Sequence, residues 1–190
     1  MSTNNVVAEA KQGLVEAIHG VGDVGGAVVD AVTGVMVRTL HGTRAVGSEL
    51  VSLSTDTVTG VVHGVAEVGS EVGDAARSIM VGALRGTKQV GKASIETVGT
   101  TSAALVKSTA EVGGDVTRAA KGAVEGAIEA ASDVGVTAEQ AASAAATGAL
   151  RAAGEVSTAA GAEVRKALTG SIQGVKVVLK EPLRSGKNQA

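Results

Sequence analysis

The chain has 190 residues, 44% hydrophobic and 19% charged, with a formal net charge of −2, and it holds 27 glycines and one proline but no Cys, Phe, Trp or Tyr. This composition excludes disulfides, thiolate metal sites and cysteine nucleophiles, and it offers neither stacking aromatics nor a basic excess for nucleic acid. Any core must be built from small aliphatic side chains over a large area.

In chain order, residues 1–12 read as a lead-in, and Met1-Ser2-Thr3-Asn4-Asn5 lacks the basic and then apolar pattern of a secretory signal. From Gly13 to residue 182 a 22-residue unit, itself twice 11, recurs in eight copies. One apolar column is Ile18, Leu40, Val62, Leu84, Val106, Ile128, Leu150 and Ile172; a second is Val24, Val46, Val68, Val90, Val112, Val134, Val156 and Val178. Apolar positions fall three and four apart, a helical spacing, and 22 residues fill six turns at about 3.67 residues per turn. The spacing predicts an all-α protein, either one long amphipathic helix of about 250 Å or a set of helical hairpins. The apolar columns are the expected contact face. A β-solenoid with one unit per coil fits the recurring Gly and Val but not the three-and-four spacing.

Glycines also fall in columns. Gly25, Gly47, Gly69, Gly91, Gly113 and Gly135 follow the valine column inside the apolar sector, and are expected to let another backbone approach closely. Gly20, Gly42, Gly64 and Gly86 form a border column that continues as Ser108, Ala130 and Ala152. The same glycines are able to mark hairpin turns, although their spacing alone does not place such turns. Copies between Ala119 and Ala167 are Ala-rich and predict firmer helix. Pro182 ends the pattern, and residues 183–190 form a basic tail with Arg184 and Lys187, preceded by Lys176 and Lys180.

Few residues carry chemistry. His19, His41 and His63 share one column, about 33 Å apart along a straight helix, too far for a common metal. Later copies place Arg85, Lys107, Glu129, Arg151 and Gln173 there, and Lys107 and Arg151 each precede an acid by four, Glu111 and Glu155, as His63 precedes Glu67. Gly20-Val21-Gly22-Asp23-Val24-Gly25 matches G-x-G-x-x-G only as letters within a repeat, with no strand–helix unit around it. No nucleophile elbow, P-loop, H-E-x-x-H or calcium loop occurs. No enzyme, cofactor, metal, nucleic acid or small-molecule substrate is expected.

Gly60-Val61-Val62-His63-Gly64-Val65-Ala66 and Val24-Gly25-Gly26-Ala27-Val28-Val29 resemble segments of the synucleins, and the architecture is similar to other 11-residue-repeat surface binders: apolipoproteins, perilipin-type droplet proteins and phasins. The resemblance covers two short patches, and the lysine-rich repeat pattern and acidic tail of synucleins are missing. It implies a long amphipathic helix on a lipid surface. The function expected is therefore a cytoplasmic, non-enzymatic coat on a membrane, lipid droplet or storage granule, peripheral to any bilayer because no run is long enough to span one. The alternative is a self-associating helical scaffold: a bundle, coiled coil or filament.

Overall fold

The computed structural model describes residues 24–40, 48–67, 71–91 and 93–179, with Val7, Ala8, Lys11, Gln12 and Val15. The fold is all-α. Among the described residues it has seven α-helices, α1 (Val24–Leu40), α2 (Ser48–Glu67), α3 (Val72–Gln89), α4 (Ile95–Glu111), α5 (Val116–Glu129), α6 (Ala138–Val156) and α7 (Thr158–Leu168). A 3-10 turn, Ala131–Val134, extends α5, and a hairpin of β1 (Gly170–Ile172) and β2 (Val175–Val177) follows α7. Of the two helical forms the sequence allows, the chain takes the hairpins, with a unit making one helix and one turn.

The turns have a repeated cause. Gly91, Gly113 and Gly135, 22 residues apart, have φ of +68°, +73° and +71°, in the left-handed region that costs an L-residue about 1–2 kcal/mol. At Gly113 the glycine N–H donates to the Ala110 carbonyl (3.1 Å) and the Gly114 N–H to that of Thr109 (2.8 Å), a Schellman stop. Gly135 and Val136 repeat it onto Ser132 (3.3 Å) and Ala131 (3.1 Å). A capping side chain then starts the next helix: Ser94 Oγ accepts from the Thr97 N–H, Asp115 from that of Arg118, and Thr137 forms a reciprocal capping box with Gln140.

Short turns make consecutive helices antiparallel, and each helix from α1 to α6 packs most extensively on a helix two away in the chain. Thus α1, α3 and α5 lie side by side in one layer, and α2, α4 and α6 in the other. Hydrogen bonds between layer neighbours join residues about two units apart: Thr33 Oγ1 donates to the Gly82 carbonyl (3.2 Å), Ser102 Oγ to that of Ala145 (2.8 Å), and the Thr59 and Ser108 hydroxyls meet at 2.9 Å. The core lies between the layers. It is Val-, Met- and Leu-rich early, with Val32, Met36, Val61, Met80 and Leu84, and Ala-rich late, with Ala120, Ala123, Ala142, Ala145 and Ala149.

The last copy departs from the repeat. Ser157 adopts an extended conformation and caps α7, which packs on α5 and α6 where the next member of the first layer would stand. Residues 170–177 form a hairpin, pairing Gly170 with Val177 and Ile172 with Val175, instead of the expected helix. Gln173 and Gly174, with φ of 50° and 78°, supply the two positive angles of a type I′ turn. β2 lies on α6, burying Ile172 and Val177.

Candidate functional surface

The apolar columns are used inside the molecule. Leu40, Val62, Leu84, Val106 and Leu150 are buried between the layers, Ile128 is half-buried, and Ile172 is buried on β1. In the second column Val24 begins α1, Val90 and Val112 are half-buried at helix ends, Val134 is buried and Val156 is exposed. Ile18, Val46, Val68, Gly47 and Gly69 lie outside the described residues, as do His19, His41, most of the lead-in and the basic tail.

Close packing falls on other glycines than the sequence reading assigns it to. A Cβ built on Gly91, Gly113 or Gly135 meets nothing within 4 Å, so these are turn glycines and not close-packing ones, while Gly25 sits exposed in α1. Helix crossings instead depend on Gly82, Gly86, Gly122, Gly126 and Gly148. A Cβ at Gly82 would stand 2.7 Å from the Val29 carbonyl oxygen, and one at Gly126 2.6 Å from that of Arg77. Gly86 belongs to the border column, whose Gly64, Ser108, Ala130 and Ala152 are also buried.

With the columns buried, what the protein presents are the outer faces of its layers. Across α3 and α5 the charges pair: Arg118 bridges Glu71 (2.7 Å) and Asp74 (3.5 Å), Arg77 donates two hydrogen bonds to Glu129 (2.8 and 3.0 Å), and Lys88 (2.7 Å) and Arg85 (3.5 Å) hold Asp133. The hydrogen bond from Lys88, helped by Arg85, holds the Asp133 carboxyl below its ordinary value against an opposing burial effect.

Across α4 and α6 the arithmetic of the repeat differs. Two units separate Lys107 from Arg151 and Glu111 from Glu155, and Lys107 lines a groove together with Glu111 and Glu155. None of these four makes an ion pair within 4 Å among the described residues, nor do Glu96 and Glu139 at the helix starts. On α2 the matching acid, Glu67, is met by Lys11 from the N-terminal segment (2.7 Å). His63 is half-buried and its Nε2 has no protein hydrogen bond.

This second face is also grooved. Between α4 and α6 a groove of about 550 Å³ is floored by Gly99 and Gly148 and edged by Ile95, Glu96, Glu139, Arg151 and Val178. Ser143 Oγ accepts the Val178 N–H (3.1 Å), fixing the hairpin to its rim. Further along the same helices, a groove of about 390 Å³ is bounded by Lys107, Ala110, Glu111, Ala152, Glu155 and Val156. The exposed large hydrophobics of the described residues, Ile95 (43%), Val156 (43%) and Val178 (52%), all stand on this face.

Among the described residues no cluster of His, Asp and Glu is arranged to hold a metal, and no helix is long and apolar enough to cross a membrane. No family model, curated protein or solved structure matches the chain.

Proposed function

We propose that this protein is a non-enzymatic helical-repeat scaffold that acts through the outer face of its layers. The observation that carries the reading is the burial of the apolar columns. A chain that satisfies its amphipathic pattern internally needs no lipid surface to become helical, and what it offers to partners is a regular array of exposed side chains. Shallow, open grooves on a rigid two-layer support suit protein contact better than enclosure of a substrate.

A second reading, the coat on a hydrophobic surface, draws support from Ile95, Val156 and Val178 standing together on one face. It requires the layers to part so that Leu84 and Val106 reach the surface. Circular dichroism and light scattering in lipid-free buffer, repeated with vesicles and emulsion droplets, separate the two. The scaffold is helical before any surface is added, and Leu84→Asp or Val106→Asp, each burying an unpaired charge, destabilises it by about 3–5 kcal/mol without lipid. A disordered chain that turns helical only on vesicles overturns the scaffold in favour of the coat.

A further inference from the structure

The joint between α6 and α7 is unlike the glycine turns of the repeat. Ser157 falls 22 residues after Gly135, in the column that supplies Gly91, Gly113 and Gly135. It takes φ of −165° and ψ of 159°, and it is the single residue between Val156, where α6 ends, and Thr158, where α7 begins. Its Oγ accepts the Ala160 N–H (3.0 Å), its own N–H donates to the Ala153 carbonyl (3.0 Å), and its carbonyl accepts from the Gly161 N–H (3.0 Å). The last two are bonds that an uninterrupted helix also makes. Turning Ser157 alone to helical angles would add three more, from the Thr158, Ala159 and Ala160 N–H groups to the Gly154, Glu155 and Val156 carbonyls, and would give up the one to Oγ. Ala152, Ala153, Ala159 and Ala160 on either side favour that helix. What keeps the joint bent is burial farther along. α7 lies on α5 and α6 with Val164 and Leu168 fully buried, and β2 lies on α6 with Ile172 and Val177 buried. These contacts are the same whichever chain supplies α7.

We propose that Ser157 is a hinge through which two copies of the chain exchange α7 and the β1–β2 hairpin. In the exchanged pair α6 and α7 run on as one helix from Ala138 to Leu168, about 46 Å long. Val164, Leu168, Ile172 and Val177 of each copy then fill, on the other copy, the places they fill in the closed chain, and the Val178 N–H reaches the other copy's Ser143 Oγ. The complementarity of this interface is that of the closed chain, contact for contact. At the joint the first turn of α7 lies against the last turn of α6, so that a Cβ on Gly161 would stand 3.1 Å from the Gly154 Cα. Exchanged, Gly161 of each copy faces Gly154 of the other, and the two long helices cross between small residues at a two-fold axis beside the paired Ser157 hinges. A joint this short favours exchange, because opening it loses only contacts that the second copy restores. The contact is isologous and closes as a dimer. The proposal rests on the scaffold reading, since the layers must be folded to receive the exchanged piece.

The test is sedimentation velocity on the full chain in lipid-free buffer, after concentrated samples are warmed to just below the thermal midpoint and cooled, with circular dichroism on the same samples. Warming lets α7 release and exchange. The wild type should yield a dimer whose fraction rises with the concentration during warming. Ser157→Ala removes the Oγ cap and favours the straight helix at both joints of the pair, so association should tighten about tenfold or more. Thr158→Pro acts in the opposite sense. Proline suits the first position of a helix that follows an extended residue, as in the closed chain, and breaks a helix from within, as in the exchanged one. This variant should stay helical and monomeric, its association weakened about a hundredfold or more. Thr158→Pro leaves the outer faces of α1 to α6 as they are, so a pair formed through any of them would survive it. A helical wild type that stays monomeric after warming, or a Thr158→Pro chain that dimerises as the wild type does, overturns the hinge and leaves the scaffold standing. A wild type without helix in this buffer overturns the scaffold itself.

Discussion

Glycine carries two opposite instructions in this chain, and the residue scale is where they part. At Gly113 an added Cβ finds open space but a forbidden backbone angle; at Gly126 the angle is helical but the space is filled by the Arg77 carbonyl oxygen 2.6 Å away. Gly113→Ala should cost about 1–2 kcal/mol, and Gly113→Asn less, since Asn tolerates the left-handed region. At Gly126 the order inverts: Ala regains up to about 1 kcal/mol of helix propensity, loses about 1–3 to overpacking, and the larger Asn does worse. Thermal melts of the four variants check this, at about 2–4 °C per kcal/mol. Two carboxylates form a second pair of opposites. Asp133, held below its ordinary 3.8, contributes stability that is complete above the unfolded carboxylate range and is lost as pH falls through its folded value. Burial raises Asp56, so its ionisation opposes folding as pH rises through its folded value. At pH 7, Asp133→Asn should therefore destabilise, by about 1 kcal/mol for an exposed double bridge, and Asp56→Asn should stabilise; urea titrations at pH 7 and near pH 3 should show both differences shrinking in acid.

At the scale of the element, the helical class was legible because the three-and-four spacing survives every substitution in the columns. The turns were not, for a geometric reason. A 22-residue period closes on six turns, so a continuous helix and a stack of short ones place the same residues on the same stripe. Single-column reading also cannot give the sign of φ, which is why Gly91, Gly113 and Gly135 looked like packing positions. A local signal was available beside them: Gly113-Gly114-Asp115, and Gly135-Val136-Thr137 followed by Gln140, are a stop and a start in immediate succession. The hairpin was hidden differently. Ile172 fits the apolar column, and only Gln173-Gly174 between Ser171-Ile172 and Val175-Lys176-Val177 betrays alternation. The charges of the α4–α6 face are legible as polar positions of the helical pattern. What no column displays is that consecutive copies belong to different layers, so that neighbours within a layer are copies two apart.

For the whole molecule, that rule of alternate copies makes length a constrained quantity. Removing residues 93–136, which joins Lys92 to Thr137 and excises α4 and α5, leaves every later helix in its own layer and orientation. The shortened chain should keep a cooperative thermal transition at a lower midpoint, as nearest-neighbour stacking implies. Removing residues 93–114 alone takes out α4 and drops α5 into the second layer, where Gly126 no longer faces Arg77 and Asp133 no longer reaches Lys88; calorimetry should show a broad, low-enthalpy transition in its place. The turn sequence at the two junctions is equivalent, so the difference reports layer position and not the splice. Heredity meets the same constraint. A lineage that copies one unit inverts everything downstream of the copy, whereas one that copies two adds a register that fits at once, and natural length variants of this protein should differ by even numbers of units.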